Sequence, residues 1–573
     1  MSKLTSAAVS RPGPILLLLI PAIAAVWYAR PLLPIDETRY TAVAWEMWRS
    51  GDWLVPHLNG ETYAHKPPML FWLIQGGWAL FGVNTWWPRV LGALALCLNA
   101  FMIKRLGARL WPQQPQRGSV AAMLFTGALF PFLFSTALMF DLWLVPWVVL
   151  GWTALVDAHR GASWQRSMLW FALAVGFGIL TKGPVTLLFL LPPVLAAAHW
   201  SGRAASSAAN SAAHAADAGA GADAVDASAD ASATAQPRSK AVALTGGLGI
   251  LLGALLALAW AIPAGISGGE EYRDAIFWGQ TAGRIKDSFA HSRPIWWFLP
   301  LLPGMLFPWL WWPRTYQNWR GLSTGAKDVG RLMFWCLAPA FLFLCVMDGK
   351  QPHYLLPLFS MAALALAWNL DHKPQFGLRA CLLPMLLPLL IGTAMAFTPV
   401  WAGAVASVAW LNPPVMAISG TLLLIMLRPA WVLLQREAQR PLVLACLAPL
   451  TVICLHLGMG RSFYREYDLQ PMADQVAAWQ EEQTAVGFHA AAYYGQFHFL
   501  GRLEQPLANP ETIDALRNWL KANPEGRMLV VVRRDDNPRF GLSPFPALPH
   551  GSRLLQVWPS AALLERLNDL EIS

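Results

Sequence analysis

Long apolar segments recur along almost the whole chain, and they constrain its fold more than any other feature. A membrane-spanning helix needs about 20 mostly apolar residues. We count about thirteen such segments, and no Asp, Glu, Lys or Arg falls near the middle of any of them. Only 13% of all residues are charged, against about 25% in soluble proteins. The sequence therefore predicts a polytopic α-helical membrane protein, with spans near 14–32, 86–103, 118–137, 141–157, 167–181, 184–200, 241–262, 294–313, 332–347, 353–370, 380–398, 405–427 and 441–459.

Basic residues predict how these spans are oriented. Lys and Arg concentrate before the first span and in every second connection, and cytoplasmic loops are the ones that carry such an excess. We therefore expect a cytoplasmic N-terminus and, after thirteen spans, a periplasmic C-terminus. This asymmetry also explains the net charge of +9, so we expect membrane lipids and no nucleic acid as partners. The six cysteines lie in apolar runs without metal-ligand spacing, which predicts neither disulfides nor a zinc site.

Two stretches differ in composition from the transmembrane domain, which we assign to residues 1–459. Residues 201–240 are rich in Ala, Ser and Asp, and we predict a disordered cytoplasmic linker there. Residues 460–573 alternate between helical and strand-like patterns, with a second strand expected at 497–502. These residues predict a small C-terminal α/β domain in the periplasm.

The outward loop 33–85 carries an unusual density of acids, bases and tryptophans for a connector. Further cations, and Asp141, are expected on the same side of the membrane. Arg and Lys bind phosphate through charge-assisted hydrogen bonds, and a carboxylate can accept a proton from an attacking hydroxyl. This combination suits transfer of a group away from a phosphate at the membrane surface. The alternative for Asp36 and Asp141 is that each only caps the start of a helix.

The ordered motifs around these residues resemble those of one family. PIDETRY, SGDWLVPHLNG and KPP follow one another in the first outward loop, a Trp-Pro-Arg comes directly after it, and LTKGP and GKQPHYLLPL come later. This pattern is similar to that of the bacterial aminoarabinose transferases, which are related to the protein O-mannosyltransferases of glycosyltransferase family 39. The resemblance covers roughly residues 14–370 and implies the GT-C fold in the bacterial inner membrane.

The resemblance also implies a reaction and a set of site residues. A polyprenyl-phosphate-linked sugar would be the donor, and lipid A or another envelope glycan would be the acceptor, on a protein that acts as a monomer. The catalytic acids would be Asp36 and Asp141. The donor phosphate would be held by Arg39, Lys66, Arg284, Tyr63 and Tyr354, with Glu37, Lys182 and Lys350 in support.

Two departures from the family pattern concern metal binding. His65 stands where many aminoarabinose transferases carry Glu, and Gln280-Thr281 stands where Glu-His is expected. Zinc prefers His and carboxylate ligands, so we predict neither a metal site nor any other cofactor.

Two other functions remain open from the sequence. A protein O-mannosyltransferase would use the same donor chemistry on a different acceptor. A flippase or transporter of lipid-linked sugars would place ionisable groups at the bilayer midplane and show inverted repeats, and neither feature is visible here.

Overall fold

The computed structural model describes residues 12–201, 223–283, 293–316, 327–370, 377–404, 411–460, 462–533, 547–550 and 553–572. Within these ranges the chain is mostly helical, and eight helices are long and apolar enough to cross a membrane. The prediction of a polytopic α-helical membrane protein is confirmed at this level. The eight helices are Trp86–Leu110, Phe140–His159, Arg238–Ser267, Asp328–Val346, Pro352–Leu370, Leu378–Ala396, Pro413–Leu434 and Glu437–Met459.

Several predicted spans are shorter or broken in the structure. Prolines contribute to the breaks, since a proline inside a helix removes a backbone hydrogen bond; Pro192 and Pro193, for example, lie just before the end of the helix Thr186–Leu195. The remaining helices of the membrane part are Gly13–Leu17, Leu19–Ala29, Asp36–Ser50, Met69–Phe81, Gln116–Thr126, Leu129–Phe134, Trp164–Lys182, Thr186–Leu195, Ala197–Ser201, Gly269–Asp274, Leu302–Met305 and Thr398–Trp401, with a π-helix at Ala275–Gly283.

Two helices form the centre of the bundle. In Phe140–His159 and Pro352–Leu370, 78% of the apolar window is buried, whereas the figure is 33% for Arg238–Ser267. The first of these central helices packs against Trp86–Leu110 and Trp164–Lys182. A residue at the end of a central helix is therefore surrounded by protein and not by lipid.

We predicted a disordered linker at residues 201–240, but the second half of this stretch is helical in the structure. Residues 202–222 lie outside the described part of the chain, but one helix runs continuously over Asp223–Ser267. Alanine has the highest helix propensity of all residues, and alanine dominates this stretch. The composition therefore favours helix over disorder once an apolar helix follows directly.

The strands β1 (His57–Leu58) and β2 (Glu61–Thr62) form a hairpin within residues 33–85, and the C-terminal residues form a four-stranded mixed sheet. Its strands are adjacent in the order β3 (Val486–His489), β4 (Arg527–Arg533), β6 (Arg553–Pro559) and β5 (Leu548–His550). Strand β4 is central: Met528 and Val530 enter one apolar cluster, while Leu529 and Val531 enter another on the opposite face. Alternate side chains point to opposite faces of a strand, so both faces of this sheet are covered. The helices are Gln470–Glu481, Ile513–Ala522 and Ser560–Ile572.

Residues 497–502 form turns, so the prediction of a strand there was wrong. The segment packs back onto the membrane part, where the ring of Phe499 stacks on Trp78 with 5.0 Å between centroids. Gly501 lies so close to Ala473 that a Cβ there would be 2.5 Å from the Ala473 carbonyl oxygen. A close approach of this kind favours a compact turn over an extended strand.

Candidate active site

Asp36 is the first residue of the helix Asp36–Ser50. Its Oδ1 accepts hydrogen bonds from Nη2 of Arg39 and, at 3.1 Å, from the hydroxyl of Tyr40. Residues three and four positions apart lie on the same helix face, which explains why both side chains reach it. The N-cap position belongs to Ile35 and not to Asp36, and the Asp36 side chain is 45% exposed. It can therefore meet a ligand, and the capping alternative for Asp36 is wrong.

Asp141 is the second residue of the central helix Phe140–His159, and it is buried. Lys182, at the end of the helix Trp164–Lys182, donates from Nζ to its Oδ1. Nε2 of His353 lies 3.8 Å from Oδ2. The N-cap position of this helix belongs to Met139 and not to Asp141. The buried charge of Asp141 is balanced by Lys182.

An aromatic cluster connects the two acids. The ring of Tyr40 meets Phe140 edge to face, with 4.9 Å between centroids, and Phe71 packs against Phe140 at 5.5 Å. Aromatic pairs in this geometry favour one fixed orientation. Because Tyr40 binds Asp36 and Phe140 precedes Asp141, this packing places both carboxylates at one site.

Lys66 and Tyr63 reach the same site from the loop. Lys66 interacts electrostatically with both Asp141 and His353. Tyr63 is buried, and its ring lies 6.2 Å from that of Phe71. A cation and a phenol of the loop thus lie beside the acid of the central helix.

Glu37 is buried and braces this arrangement. Its Oε1 accepts from Nη2 of Arg30 at 2.7 Å and from the backbone N–H of Leu138 at 2.9 Å. Its Oε2 accepts from the N–H of Leu33 at 2.8 Å, and Arg30 also donates to the carbonyl of Thr136. These bonds join the start of the Asp36–Ser50 helix to the segment just before Asp141.

The electrostatic environment fixes the charge states of two site residues. Burial, and then the nearby Asp36 carboxylate, raises the pKa of Tyr40 well above its ordinary value. Burial opposes the charge of Arg39, but Tyr63, Tyr40 and Asp36 together raise the pKa of Arg39 above its ordinary value. Tyr40 is therefore a neutral hydrogen-bond donor at physiological pH, and Arg39 is a permanent cation.

Sequence comparison identifies relatives of this chain. Residues 65–221 match the family described as dolichyl-phosphate-mannose-protein mannosyltransferase. Two relatives from strains of Pseudomonas fluorescens are named undecaprenyl phosphate-alpha-4-amino-4-deoxy-L-arabinose arabinosyl transferases. One is 30% identical over 60% of this chain, which spans only 56% of that relative's length. The other is 27% identical over 90% of this chain and 92% of its own length.

Structural comparison agrees with these matches. ArnT from Cupriavidus metallidurans bound to undecaprenyl phosphate has a TM-score of 0.68 at 19% identity. The match covers 96% of this chain and 98% of that one. The chain is similar to the aminoarabinose transferases, and its fold is that of ArnT, the GT-C fold. The resemblance inferred from its sequence motifs is thereby confirmed.

The structure brings most of the predicted site residues together. Asp36, Arg39, Tyr63 and Lys66 come from the first outward loop. Around Asp141 lie Lys182 and Tyr354, whose ring centroid is 4.5 Å from the Lys182 ammonium. Glu37 is buried beside them and binds Arg30 and the backbone of Leu138. Arg284 falls outside the described residues.

Lys350 has a different position from the one its charge suggests. It is buried, and Nζ donates to the carbonyls of Arg293, at 2.8 Å, and Met347. Its ammonium therefore joins the backbone at Arg293 to the backbone at Met347, and it points towards these carbonyl oxygens.

Metal ligands were considered at His65, Gln280 and Thr281. In the described ranges no group of three or more His, Cys, Asp or Glu side chains could hold a metal ion. His65 packs against Tyr63, with 5.4 Å between ring centroids. Gln280 and Thr281 lie near the end of the π-helix Ala275–Gly283, where the structure describes only their backbone. The absence of a metal stays a prediction.

Three site residues were missed by sequence reasoning. Tyr40 lies within the motif PIDETRY, directly after Arg39. His353 lies within the motif GKQPHYLLPL, directly before the predicted site residue Tyr354. This position in the sequence could have predicted it. Tyr494 lies far away in sequence, and the guanidinium of Arg39 is 5.5 Å from its ring centroid. No pattern in the sequence connects these two residues.

Proposed function

We propose that this protein is an integral-membrane glycosyltransferase that moves a sugar from a polyprenyl-phosphate donor to lipid A or another envelope glycan. The observation that carries the proposal is the pairing of two carboxylates, Asp36 and Asp141, each with its own cation at one end of the bundle. The names of the relatives, which specify undecaprenyl phosphate and aminoarabinose, support the choice of donor.

Arg39 and Lys66 are the residues we assign to the donor phosphate. The Nε–H of Arg39 is buried and has no acceptor among the described residues, and a buried donor without an acceptor is costly. A phosphate oxygen satisfies it with a charge-assisted bond. Tyr63 and Tyr354 border the same space, and we assign Arg284, from the motif resemblance alone, to the same phosphate.

The reaction follows from this arrangement. The bond between the sugar carbon and the phosphate oxygen breaks, and the acceptor oxygen bonds to that carbon. The departing polyprenyl phosphate keeps the electron pair, and Arg39 and Lys66 stabilise its charge. Asp36 takes the proton of an acceptor hydroxyl; an acceptor phosphate needs no base, and Asp36 then orients the sugar. Asp141, held by Lys182, stabilises positive charge that develops on the sugar.

The topology belongs to the same proposal. We propose about thirteen spans in a transmembrane domain of residues 1–459, with loop 33–85 facing the periplasm. Residues 460–573 then form a periplasmic α/β domain, and the N-terminus is cytoplasmic in a protein that acts as a monomer. Asp141 and Asp157 lie at opposite ends of one helix, about 24 Å apart at 1.5 Å per residue. Asp157 pairs with Arg109 at 3.3 Å, in the basic connection assigned to the cytoplasm.

A protein acceptor is the second candidate. It is favoured by the match of residues 65–221 to the protein mannosyltransferase family. The donor chemistry would be the same, since a Ser or Thr hydroxyl would lose its proton to Asp36. The two candidates therefore differ only in the acceptor.

Mass spectrometry of lipid A and of total glycoprotein, from cells with and without the gene, tests the function. We expect a sugar on lipid A that disappears with the gene. The variants Arg39→Ala and Lys66→Ala should each lower transfer about 10²- to 10³-fold, and Arg109→Ala is the control. A loss confined to glycoprotein would establish the second candidate, and an unchanged envelope would refute both.

A further inference from the structure

The segment 494–507 of the C-terminal region lies directly against the helix that carries Asp36. Nε1 of Trp45 donates to the carbonyl of Leu503 at 3.0 Å, and Arg49 donates to the carbonyl of Glu504. Trp45 and Arg49 are four positions apart, so they share one helix face. That face of the Asp36–Ser50 helix is therefore covered by the C-terminal region.

The hairpin of the loop holds the same segment. Asn59 lies in the turn between β1 (His57–Leu58) and β2 (Glu61–Thr62) and makes two hydrogen bonds with Leu507. Its Nδ2 donates to the Leu507 carbonyl at 2.9 Å, and its Oδ1 accepts from the Leu507 N–H at 2.8 Å. Glu46 in turn accepts from the N–H groups of Asn59 and Gly60, at 2.5 and 3.0 Å. Segment, hairpin and helix form one hydrogen-bonded unit.

Tyr494 reaches the candidate site at the end of this unit. The Arg39 guanidinium lies 5.5 Å from the ring centroid of Tyr494 and 5.5 Å from that of Tyr40. Both distances are within the range of a cation–π interaction. Tyr494 is 37% exposed, so its ring lies at the mouth of the site and not in the core.

Gly495 makes this approach possible. Its φ is +68°, and a Cβ there would lie 2.4 Å from Leu58 and 3.1 Å from Ala42. The left-handed backbone and the short distance to Ala42 together favour glycine at this position. The backbone therefore runs close enough to the helix for the neighbouring tyrosine to reach Arg39.

We propose that Tyr494 is a positioning residue for Arg39, so that the C-terminal region completes the donor-phosphate site. The inference rests on the proposed function in one respect, namely that Arg39 binds the phosphate. Tyr494 and Tyr40 hold the guanidinium while Asp36 binds Nη2, which leaves the Nε–H to the ligand. Without the Tyr494 ring the Arg39 side chain gains rotamer freedom. Phosphate binding must then offset the entropy that is lost when this side chain becomes ordered.

Binding of undecaprenyl phosphate to the purified full-length protein in detergent tests this inference without requiring turnover. We expect Tyr494→Leu to weaken binding about 5- to 30-fold, the equivalent of a cation–π interaction of about 1–2 kcal/mol. Tyr494→Phe keeps an aromatic face and should bind within about twofold of the wild type. In an Arg39→Ala background, Tyr494→Leu should cause no further loss. Tyr316→Leu, which changes an exposed tyrosine elsewhere, is the matched control.

The outcomes separate the inference from the proposed function. If Arg39→Ala weakens binding and Tyr494→Leu does not, the role of Tyr494 is refuted and the phosphate site stands. If Tyr494→Leu weakens binding equally with and without Arg39, the ring does not act through Arg39. If neither variant changes binding, the phosphate site and the inference both fail. In a transfer assay the expected signature of Tyr494→Leu is a raised KM for the donor with little change in kcat.

Discussion

The carboxylate of Glu37 accepts a hydrogen bond from the backbone N–H of Leu138 at 2.9 Å, across 101 positions of sequence. The same oxygen binds Arg30 in an ion pair whose two side chains are each 5% exposed. Glu37 therefore links the start of the Asp36–Ser50 helix to the start of the central helix. The relative position of Asp36 and Asp141 depends on this link.

Glu37→Gln should destabilise the protein strongly. It removes the charge opposite Arg30 and leaves a buried cation, which costs about 3–5 kcal/mol. The apparent melting temperature, followed by tryptophan fluorescence in detergent, measures the change. Glu270→Gln is the matched control, because Glu270 pairs with Arg273 at the surface and exposed pairs contribute only about 0–1 kcal/mol. Equal melting temperatures for both variants would contradict a bracing role for Glu37.

Asp36→Asn should abolish transfer while the fold remains intact. The amide keeps the size of the side chain but cannot take a proton, and general-base catalysis contributes about 10²- to 10⁴-fold. Stability should hardly change, because the ion pair of Asp36 with Arg39 is partly exposed and exposed pairs contribute little to stability. Asp52→Asn, in the same loop, is the control: its Oδ1 accepts from the N–H groups of Leu54 and Val55, which an amide oxygen also does. Near-normal transfer by Asp36→Asn would reject the catalytic role.

The helix Phe140–His159 carries one ion pair near each end, at Asp141 and at Asp157. Lys182→Ala leaves Asp141 buried without its cation and should lower transfer about 10²- to 10³-fold. Arg109→Ala removes the partner of Asp157 at the other end of the same helix and should leave transfer within about twofold. Transfer rates of the two purified variants decide the matter. Similar losses in both would indicate a general effect on the helix and not a local role of Lys182.

Cysteine labelling tests the orientation of the chain. Ala162 and Glu525 are both exposed, and they lie on sides that we predict to be cytoplasmic and periplasmic. In intact cells a membrane-impermeant maleimide should label Glu525→Cys and not Ala162→Cys, with the native cysteines as background. Labelling of both positions, or of Ala162→Cys alone, would overturn the assignment of loop 33–85 to the periplasm.

The docking of the C-terminal region should weaken as the pH falls. Burial, and then the charge of Arg49, lowers the pKa of His498 from 6.5 to about 3. At a pH between these two pKa values, His498 binds a proton in the unfolded chain but not in the folded chain. The free energy of unfolding therefore decreases as the pH is lowered. At pH 5.5 the titration of His498 lowers the free energy of unfolding by about 1.4 kcal/mol.

The variant His498→Gln isolates this contribution. Its melting temperature should be lower at pH 7.5, because it loses the hydrogen bond between Nδ1 and the Tyr493 hydroxyl. Between pH 7.5 and 5.5 it should fall less than that of the wild type. Burial raises the pKa of Glu46, which acts in the opposite direction, but that contribution is common to both proteins. Parallel pH curves would show that His498 titrates normally in the folded state.

The membrane class of the chain, its family resemblance and the local part of the site could all be predicted from the amino-acid sequence. Apolar run length is a direct consequence of bilayer thickness, and it is visible without any contact information. Asp36, Arg39 and Tyr40 belong to one helical turn, so their proximity also follows from helical geometry. These properties depend only on neighbours along the chain.

The residues that lie opposite this helical turn became visible only in the folded chain. The pairing of Asp141 with Lys182, the link from Glu37 to Leu138 and the contact of Tyr494 with Arg39 each join distant parts of the sequence. Lys350 shows the converse, since its charge suggested a site residue and its ammonium binds backbone carbonyls. Such contacts depend on how helices pack, and packing depends on the shape of many side chains at once. A local pattern in the sequence does not contain that information.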